Sequence, residues 1–147
     1  MKVINRRAFH DYQVLGRYEV GIALTGPEVK MIRQGRIDLS EAFVRFVGYE
    51  PYLVNAFIPF YQEKNQPDYD PHRSRKLLLR KNEIESLLAQ LGRKGLTIVP
   101  LSCYTTHNLV KLEVGLAQPK NQADKREALR RRTLTREAEQ ELANKNS

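Results

Sequence analysis

Period-two alternation of apolar and polar residues sets the tightest limit on what this chain can fold into. In Tyr18-Glu19-Val20-Gly21-Ile22-Ala23-Leu24, the residues Tyr18, Val20, Ile22 and Leu24 share one face and Glu19, Gly21 and Ala23 take the other. Residues 109–117 alternate in the same way, with Val110, Leu112, Val114 and Leu116 facing in and Lys111, Glu113 and Gly115 facing out. Residues 96–104 are apolar on both faces, as a central strand requires. A hairpin is predicted over 43–47 and 52–58, turning at Gly48-Tyr49-Glu50-Pro51. Two helices interrupt the strands. The first opens on Thr25-Gly26-Pro27-Glu28, a capping-box pattern, and stops near Gly35; Val29 and Ile32 face the core while Lys30 and Arg33 share a more exposed stripe. The second begins near Asn82, with Glu85 three residues on and an apolar stripe of Ile84, Leu87, Leu88 and Leu91. Short strands with two inserted helices predict a small closed or partly open barrel, which manages its sheet edges and offers an outer face to oligonucleotides.

The composition changes near Pro119. All twelve aromatic residues lie between Phe9 and Tyr104, and from Lys120 onward the chain carries 8 basic and 5 acidic residues with few large aliphatics. Such a segment buries too little apolar surface to offset its ordering entropy. The chain therefore divides into a body, residues 1–119, and a basic tail, residues 120–147, expected to be disordered when free and helical when docked on something anionic; an ordinary frayed terminus has the same composition. With 147 residues the chain suits one domain plus this tail. No apolar run approaches the roughly 20 residues of a membrane span. Lys2, Arg6, Arg7, His10 and Asp11 leave no signal-peptide core in the first twenty residues, so a cytoplasmic setting is expected. The single cysteine, Cys103, makes neither an internal disulfide nor a multi-cysteine zinc site, and reads as a buried core residue. An excess of 25 Lys and Arg over 17 Asp and Glu, net +8, favours a polyanionic partner.

Three places in the body concentrate chemistry. His72-Arg73-Ser74-Arg75-Lys76, followed by Arg80-Lys81, has no acidic residue from Pro71 to Asn82; arginine forks suit phosphate, though a solvated loop would carry the same charges. Asn5-Arg6-Arg7-Ala8-Phe9-His10-Asp11-Tyr12 mixes cations, rings and hydrogen-bonding groups, a mixture suited to RNA, while Phe9 and Tyr12 also fit as core residues. Glu19 is a carboxylate on the face opposite the apolar set; it can accept from a base or a 2′-hydroxyl, or pair with a neighbouring arginine. His10, His72 and His107 have no second ligand at metal-binding spacing, and His10-Asp11, read as strand neighbours, point to opposite faces. No phosphate loop, nucleophile elbow or zinc signature is present, so neither an enzyme nor a cofactor is expected.

The ordered set Asn5-Arg6-Arg7-Ala8, His10-Asp11-Tyr12, Tyr18-Glu19, Gly21-Ile22, Glu28-Val29-Lys30, Arg33, Gly35, Asp70-Pro71, Arg73, Arg75-Lys76-Leu77-Leu78-Leu79, Gly95-Leu96-Thr97, Val99-Pro100-Leu101 and Asp124-Lys125-Arg126 resembles the SmpB family of SsrA-binding proteins over nearly the whole chain. The resemblance implies an oligonucleotide-binding-type closed antiparallel β-barrel. It implies a non-enzymatic adaptor that binds the tRNA-like domain of tmRNA and takes it to stalled ribosomes for trans-translation. Its partners would be tmRNA, the ribosomal decoding centre and mRNA channel, and EF-Tu indirectly through aminoacylated tmRNA; no membrane partner is expected, and a monomer is the default state. The residues it implicates in tmRNA binding are Glu19, Leu78 and Lys111, with Asn5, His10, Lys30, Arg33, Arg73, Arg75 and Lys76 as neighbours. Ribosome contact falls to Lys120, Asp124, Lys125, Arg126, Arg130, Arg131 and Arg132. The chain departs from the family pattern before Asp124: a glycine joint is Pro119, two basic positions are Gln118 and Asn121, and an aromatic or histidine position is Ala123. A generic RNA-binding or ribosome-associated barrel without tmRNA specificity is the alternative reading, separable by competition with bulk tRNA.

Overall fold

The computed structural model describes residues 1–61, 67–93 and 95–120. In chain order these form β1 (Lys2–Ile4), α1 (Arg6–Asp11), β2 (Tyr12–Ile22), α2 (Gly26–Arg33), β3 (Phe43–Val47), β4 (Glu50–Val54), β5 (Arg75–Leu78), α3 (Lys81–Leu91), β6 (Thr97–Thr106) and β7 (Leu109–Pro119). The strands make one antiparallel sheet in the order β1-β6-β7-β2-β5-β4-β3. The fold is therefore mainly β with three helices among the described residues. The hydrogen-bonded order has two ends, β1 and β3, so the ladder itself does not close into a ring. β3 nevertheless curls back to within 8 Å, Cα to Cα, of β6.

Three long strands, β6, β7 and β2, carry the architecture. β2 pairs with β7 from Tyr12 opposite Pro119 to Gly21 opposite Lys111, and β6 pairs with β7 from Thr97 opposite Ala117 to Thr106 opposite Leu109. His107 and Asn108, at φ 48° and 65°, make the two-residue turn between β6 and β7; both central residues are left-handed, the geometry whose twist matches the flanking strands. β2 begins six residues before the stretch whose alternation announces it. The reason is a bulge between Val14 and Gly16, which reverses the faces: Val14 packs with one apolar cluster and Tyr18, Val20 and Ile22 with another. A second irregularity, between Pro100 and Ser102, does the same for β6, sending Val99 and Leu101 one way and Cys103 the other.

The larger cluster is the interior of the curled sheet. It joins Val20, Ile22, Leu53, Leu77, Ile98, Leu112, Val114 and Leu116 to Ile32 of α2 and Leu87 of α3. The smaller lies on the outer face, where Ala8 of α1 covers Val99, Leu101 and Ala117. Gly115 is thus buried rather than outward in solvent, and a Cβ there would sit 2.9 Å from Leu101 Cδ1. α1 is not anticipated by the sequence pattern. Six residues give no helical period to read, and it stands because Asn5 caps it by accepting from the Ala8 amide.

α2 opens as expected, with both capping-box hydrogen bonds between Thr25 and Glu28. α3 starts earlier than Asn82: Arg80 is the N-cap residue and Glu83, not Glu85, accepts from the Arg80 amide at 3.1 Å. The strand expected over 52–58 stops at Val54 because Asn55 adopts φ 64°; Phe57 then bridges to Asp38. Gly115→Val tests the tight seat against Leu101. It should destabilise the protein by about 1–3 kcal/mol through overpacking, read as a lower urea midpoint at unchanged slope.

Candidate nucleic-acid interface

One row of the outer face runs across four strands. Tyr104 on β6 lies opposite Lys111 on β7, Lys111 opposite Gly21 on β2, and Gly21 opposite Leu78 on β5. Gly21 has no side chain, so Leu78 lies over it: a Cβ at Gly21 would be 3.2 Å from Leu78 Cβ. Leu78 itself stays 54% exposed, an apolar surface in the middle of a polar row. The row borders a groove of about 330 Å³ whose lining includes Gly21, Leu24, Val29, Leu78, Leu109 and Lys111. Arg33 of α2 reaches the same end of the sheet and donates to the Asn108 carbonyl at 3.2 Å. Three residues earlier, the Lys30 ammonium sits 5.3 Å from the Tyr61 ring centroid.

Glu19 precedes Gly21 by one outward position and lies opposite Glu113. Two carboxylates directly opposed across strands repel. Each has its own partner: Arg17 pairs with Glu113 at 3.3 Å, and the Tyr104 hydroxyl donates to Glu19 Oε2. Arg17 also lies over the Phe9 ring of α1, 5.4 Å from its centroid, which ties this part of the outer face to α1. Burial first, then the hydrogen bond and charge of Glu19, push the Tyr104 hydroxyl up to about 12. A cation, a carboxylate and an apolar platform side by side can read sugar and base edges as well as phosphate. Glu19, Leu78, Lys111 and Arg33 are the expected site residues that the fold brings together.

Other expected residues have different work. Arg75 is fully buried: its Nε donates to Glu28 Oε2 at 2.8 Å, Nη1 to the Ala56 carbonyl at 2.7 Å, and Nη2 to the Tyr69 hydroxyl and the Pro71 carbonyl, both at 3.0 Å. A guanidinium with its donors occupied and no exposed surface makes no phosphate contact, which corrects the reading of 72–76 as one basic cluster. Arg73 binds the same Glu28 through Nε at 3.1 Å and through Nη2, and keeps a third of its side chain exposed. Asn5 is also buried; its Nδ2 donates to Leu39 and Pro100 carbonyls, so it ties α1 to the body rather than touching RNA. His10 lies on α1, and helical geometry lets its Nδ1 meet Asp11 Oδ1 at 2.8 Å, where strand geometry would have separated them. Lys76 is exposed and 3.5 Å from Glu50. Lys120 belongs to the body: its amide donates to the Asp11 carbonyl at 2.9 Å and its Nζ to the Phe9 carbonyl at 3.0 Å. Asp124, Lys125, Arg126, Arg130, Arg131 and Arg132 lie outside the described residues.

Sequence reasoning passed over Tyr104 and Glu28. Tyr104 had the look of a strand residue like its neighbours, and only register shows that it can reach Glu19 across β7. Glu28 had a complete explanation as a capping residue, and nothing in its spacing announces a second set of partners, Tyr69 and Arg73 before β5 and Arg75 on it. Among the described residues no group of three His, Cys, Asp or Glu is placed to hold a metal ion, and no helix is long and apolar enough to cross a membrane.

Comparison with known proteins places the chain among relatives matched over most of its length. The family model described as SmpB protein matches residues 2–144. The SsrA-binding protein of Nitratiruptor sp. is 48% identical over 94% of this chain and 95% of its own length. That of Carboxydothermus hydrogenoformans is 46% identical over 94% and 93%. A solved structure described as "tmRNA-SmpB: a journey to the center of the bacterial ribosome" superposes with a TM-score of 0.69 at 45% identity, covering 88% of this chain and 95% of that one.

The Glu28 cluster generates a pH prediction. Burial alone pushes its carboxyl up; the hydrogen bonds of Arg73 and the Thr25 amide, and the charge and hydrogen bond of Arg75, outweigh burial and hold it at about 2, against 4.5 unperturbed. A depressed folded value means that the stabilisation is complete above the unfolded value and is lost as the carboxylate takes up a proton on acidification. Unfolding free energy should therefore fall by roughly 3 kcal/mol from this group as pH drops from 4.5 towards 2. Glu28→Gln should flatten that decline and cost about 3–5 kcal/mol at neutral pH by leaving Arg75 buried without a counter-charge. Urea unfolding of both proteins across that pH range is the check.

Proposed function

The chain belongs to the SmpB family, and on that footing we propose that it binds the tRNA-like domain of tmRNA, the SsrA RNA, and delivers it to stalled ribosomes for trans-translation. The observation that carries this is the family match over residues 2–144. The outer face supports it by gathering Glu19, Leu78 and Lys111 with Arg33 at one end of the sheet. In this reading Lys111 meets phosphate, Leu78 packs against a sugar or base, and Glu19 accepts a hydrogen bond from the RNA. Lys30, Arg73 and Lys76 add positive charge beside them. Asn5 and Arg75 serve by shaping the body.

The curled sheet is read as an oligonucleotide-binding-type barrel, and the approach of β3 to β6 supports that reading. The protein acts as a non-enzymatic adaptor in the bacterial cytoplasm, and meets EF-Tu only through the aminoacylated RNA. Residues 121–147 are the segment proposed to enter the mRNA channel, with Asp124, Lys125, Arg126 and Arg130-Arg131-Arg132 contacting rRNA.

Glu19→Ala should weaken binding to the tRNA-like domain about ten- to a hundredfold, the range of one hydrogen bond to a charged group. Removing an anion from a purely phosphate-binding surface would instead tighten binding, so unchanged or improved affinity contradicts the assignment. Truncation after Lys120 should leave the affinity for tmRNA within about twofold and abolish peptide tagging in a reconstituted translation assay. Loss of tmRNA binding in that protein would contradict the division between body and tail.

A further inference from the structure

We propose that Tyr104 is a positioning residue for tmRNA recognition: its hydroxyl, reaching across β7, holds the Glu19 carboxylate in place to accept a hydrogen-bond donor of the RNA. The proposal rests on the outer face being the tmRNA interface.

The register makes the contact specific. β6 and β2 are not neighbours, and two strand spacings separate their backbones by about 9.6 Å. Tyr104 belongs to the row of Lys111 and Glu19 to the row of Glu113, so the line between them crosses β7 between those two side chains. Among side chains that stand on a sheet, a tyrosine is long enough to make that crossing and end in a donor. Its hydroxyl donates to one Glu19 oxygen, Oε2. A carboxylate has about four lone-pair directions on two oxygens, so most of its acceptor capacity remains.

Charge accounts for the choice of a neutral clamp. Among the described residues, neither Glu19 nor Lys111 has an oppositely charged group within 4.0 Å, while Arg17 is held by Glu113 and by the Phe9 ring. Had Glu19 folded onto Lys111, each would have cancelled the other. Tyrosine fixes the carboxylate without neutralising it, and leaves Lys111 its full charge for a phosphate. The hydroxyl stays protonated throughout the physiological range, since burial and the Glu19 contact move it up to about 12. The matching RNA chemistry is a donor: the amino or imino group of an unpaired base, or a 2′-hydroxyl. A carboxylate already ordered before binding loses less side-chain freedom on contact, which is worth about three- to tenfold in affinity.

The test is a double-mutant cycle on the full chain, using the tRNA-like domain as probe. Tyr104→Phe keeps the ring and removes only the hydroxyl. It should weaken binding about three- to tenfold, with an unchanged salt slope because no phosphate contact is lost. In the Glu19→Ala background the same change should cost nothing further. A urea midpoint like that of the parent would separate this from a folding defect. If Tyr104→Phe has no effect, or costs as much with Ala at 19 as with Glu, the positioning role is wrong while the interface stands. If Glu19→Ala alone leaves affinity intact, the interface assignment itself fails and the proposal falls with it.

Discussion

A carboxylate and a guanidinium sealed from water hold the two halves of this body in register. Glu28 on α2 is 1% exposed and Arg75 on β5 is not exposed at all. Around them the guanidinium also collects the Ala56 and Pro71 carbonyls and the Tyr69 hydroxyl, so a helix, a strand and the connection between β4 and β5 meet at one group. Taking two charges out of water is expensive, and such a pair adds less net stability than its contacts suggest; what it contributes here is orientation. Side chains alternate along a strand. With Arg75 and Leu77 turned in, Lys76 and Leu78 must turn out, and Leu78 comes to rest over Gly21. With Glu28 turned in, Lys30 and Arg33 stand on the exposed side of α2. The outer row is therefore set from inside.

The same constraint explains what could be read in advance. Alternation over 18–24 and 109–117 located the two strands that carry Glu19 and Lys111, because from Tyr18 to Leu24 and from Val110 to Val114 one face is the more buried and the other the more exposed. The Thr25 box located α2. Where the chain changes face the pattern breaks: the bulge at Val14 to Gly16 hid the first half of β2, and the outer cover of α1 buried Gly115 on a face that alternation assigns to solvent. Buried polar groups were hidden most completely. A charge is assigned to the surface by type, and only the set of partners around Arg75 or Asn5 shows why each can be inside. Leu78 is singled out only by the family resemblance, since a leucine's type alone does not announce that it stands exposed on the outer face.

The two ends of β2 lie far apart. Gly21, Lys111 and Leu78 mark one end; Tyr12, Pro119 and Lys120 mark the other, about 30 Å away along nine residues of strand. Pro119 stands where the family keeps a glycine joint, yet here it closes the β2–β7 ladder and Lys120 is bonded to α1 beyond it. The described body thus extends to Lys120, at the end of β2 opposite the groove.

The most direct test of this account is equilibrium binding of the full chain to labelled tRNA-like domain of tmRNA in the presence of excess bulk tRNA at near-physiological salt. Contacts made only to phosphate would be shared by any tRNA and lost together with rising salt. The arrangement of Glu19, Leu78 and Lys111 predicts that tight binding survives the competitor. Displacement by bulk tRNA at equal effectiveness would contradict it and reduce this face to a general polyanion surface.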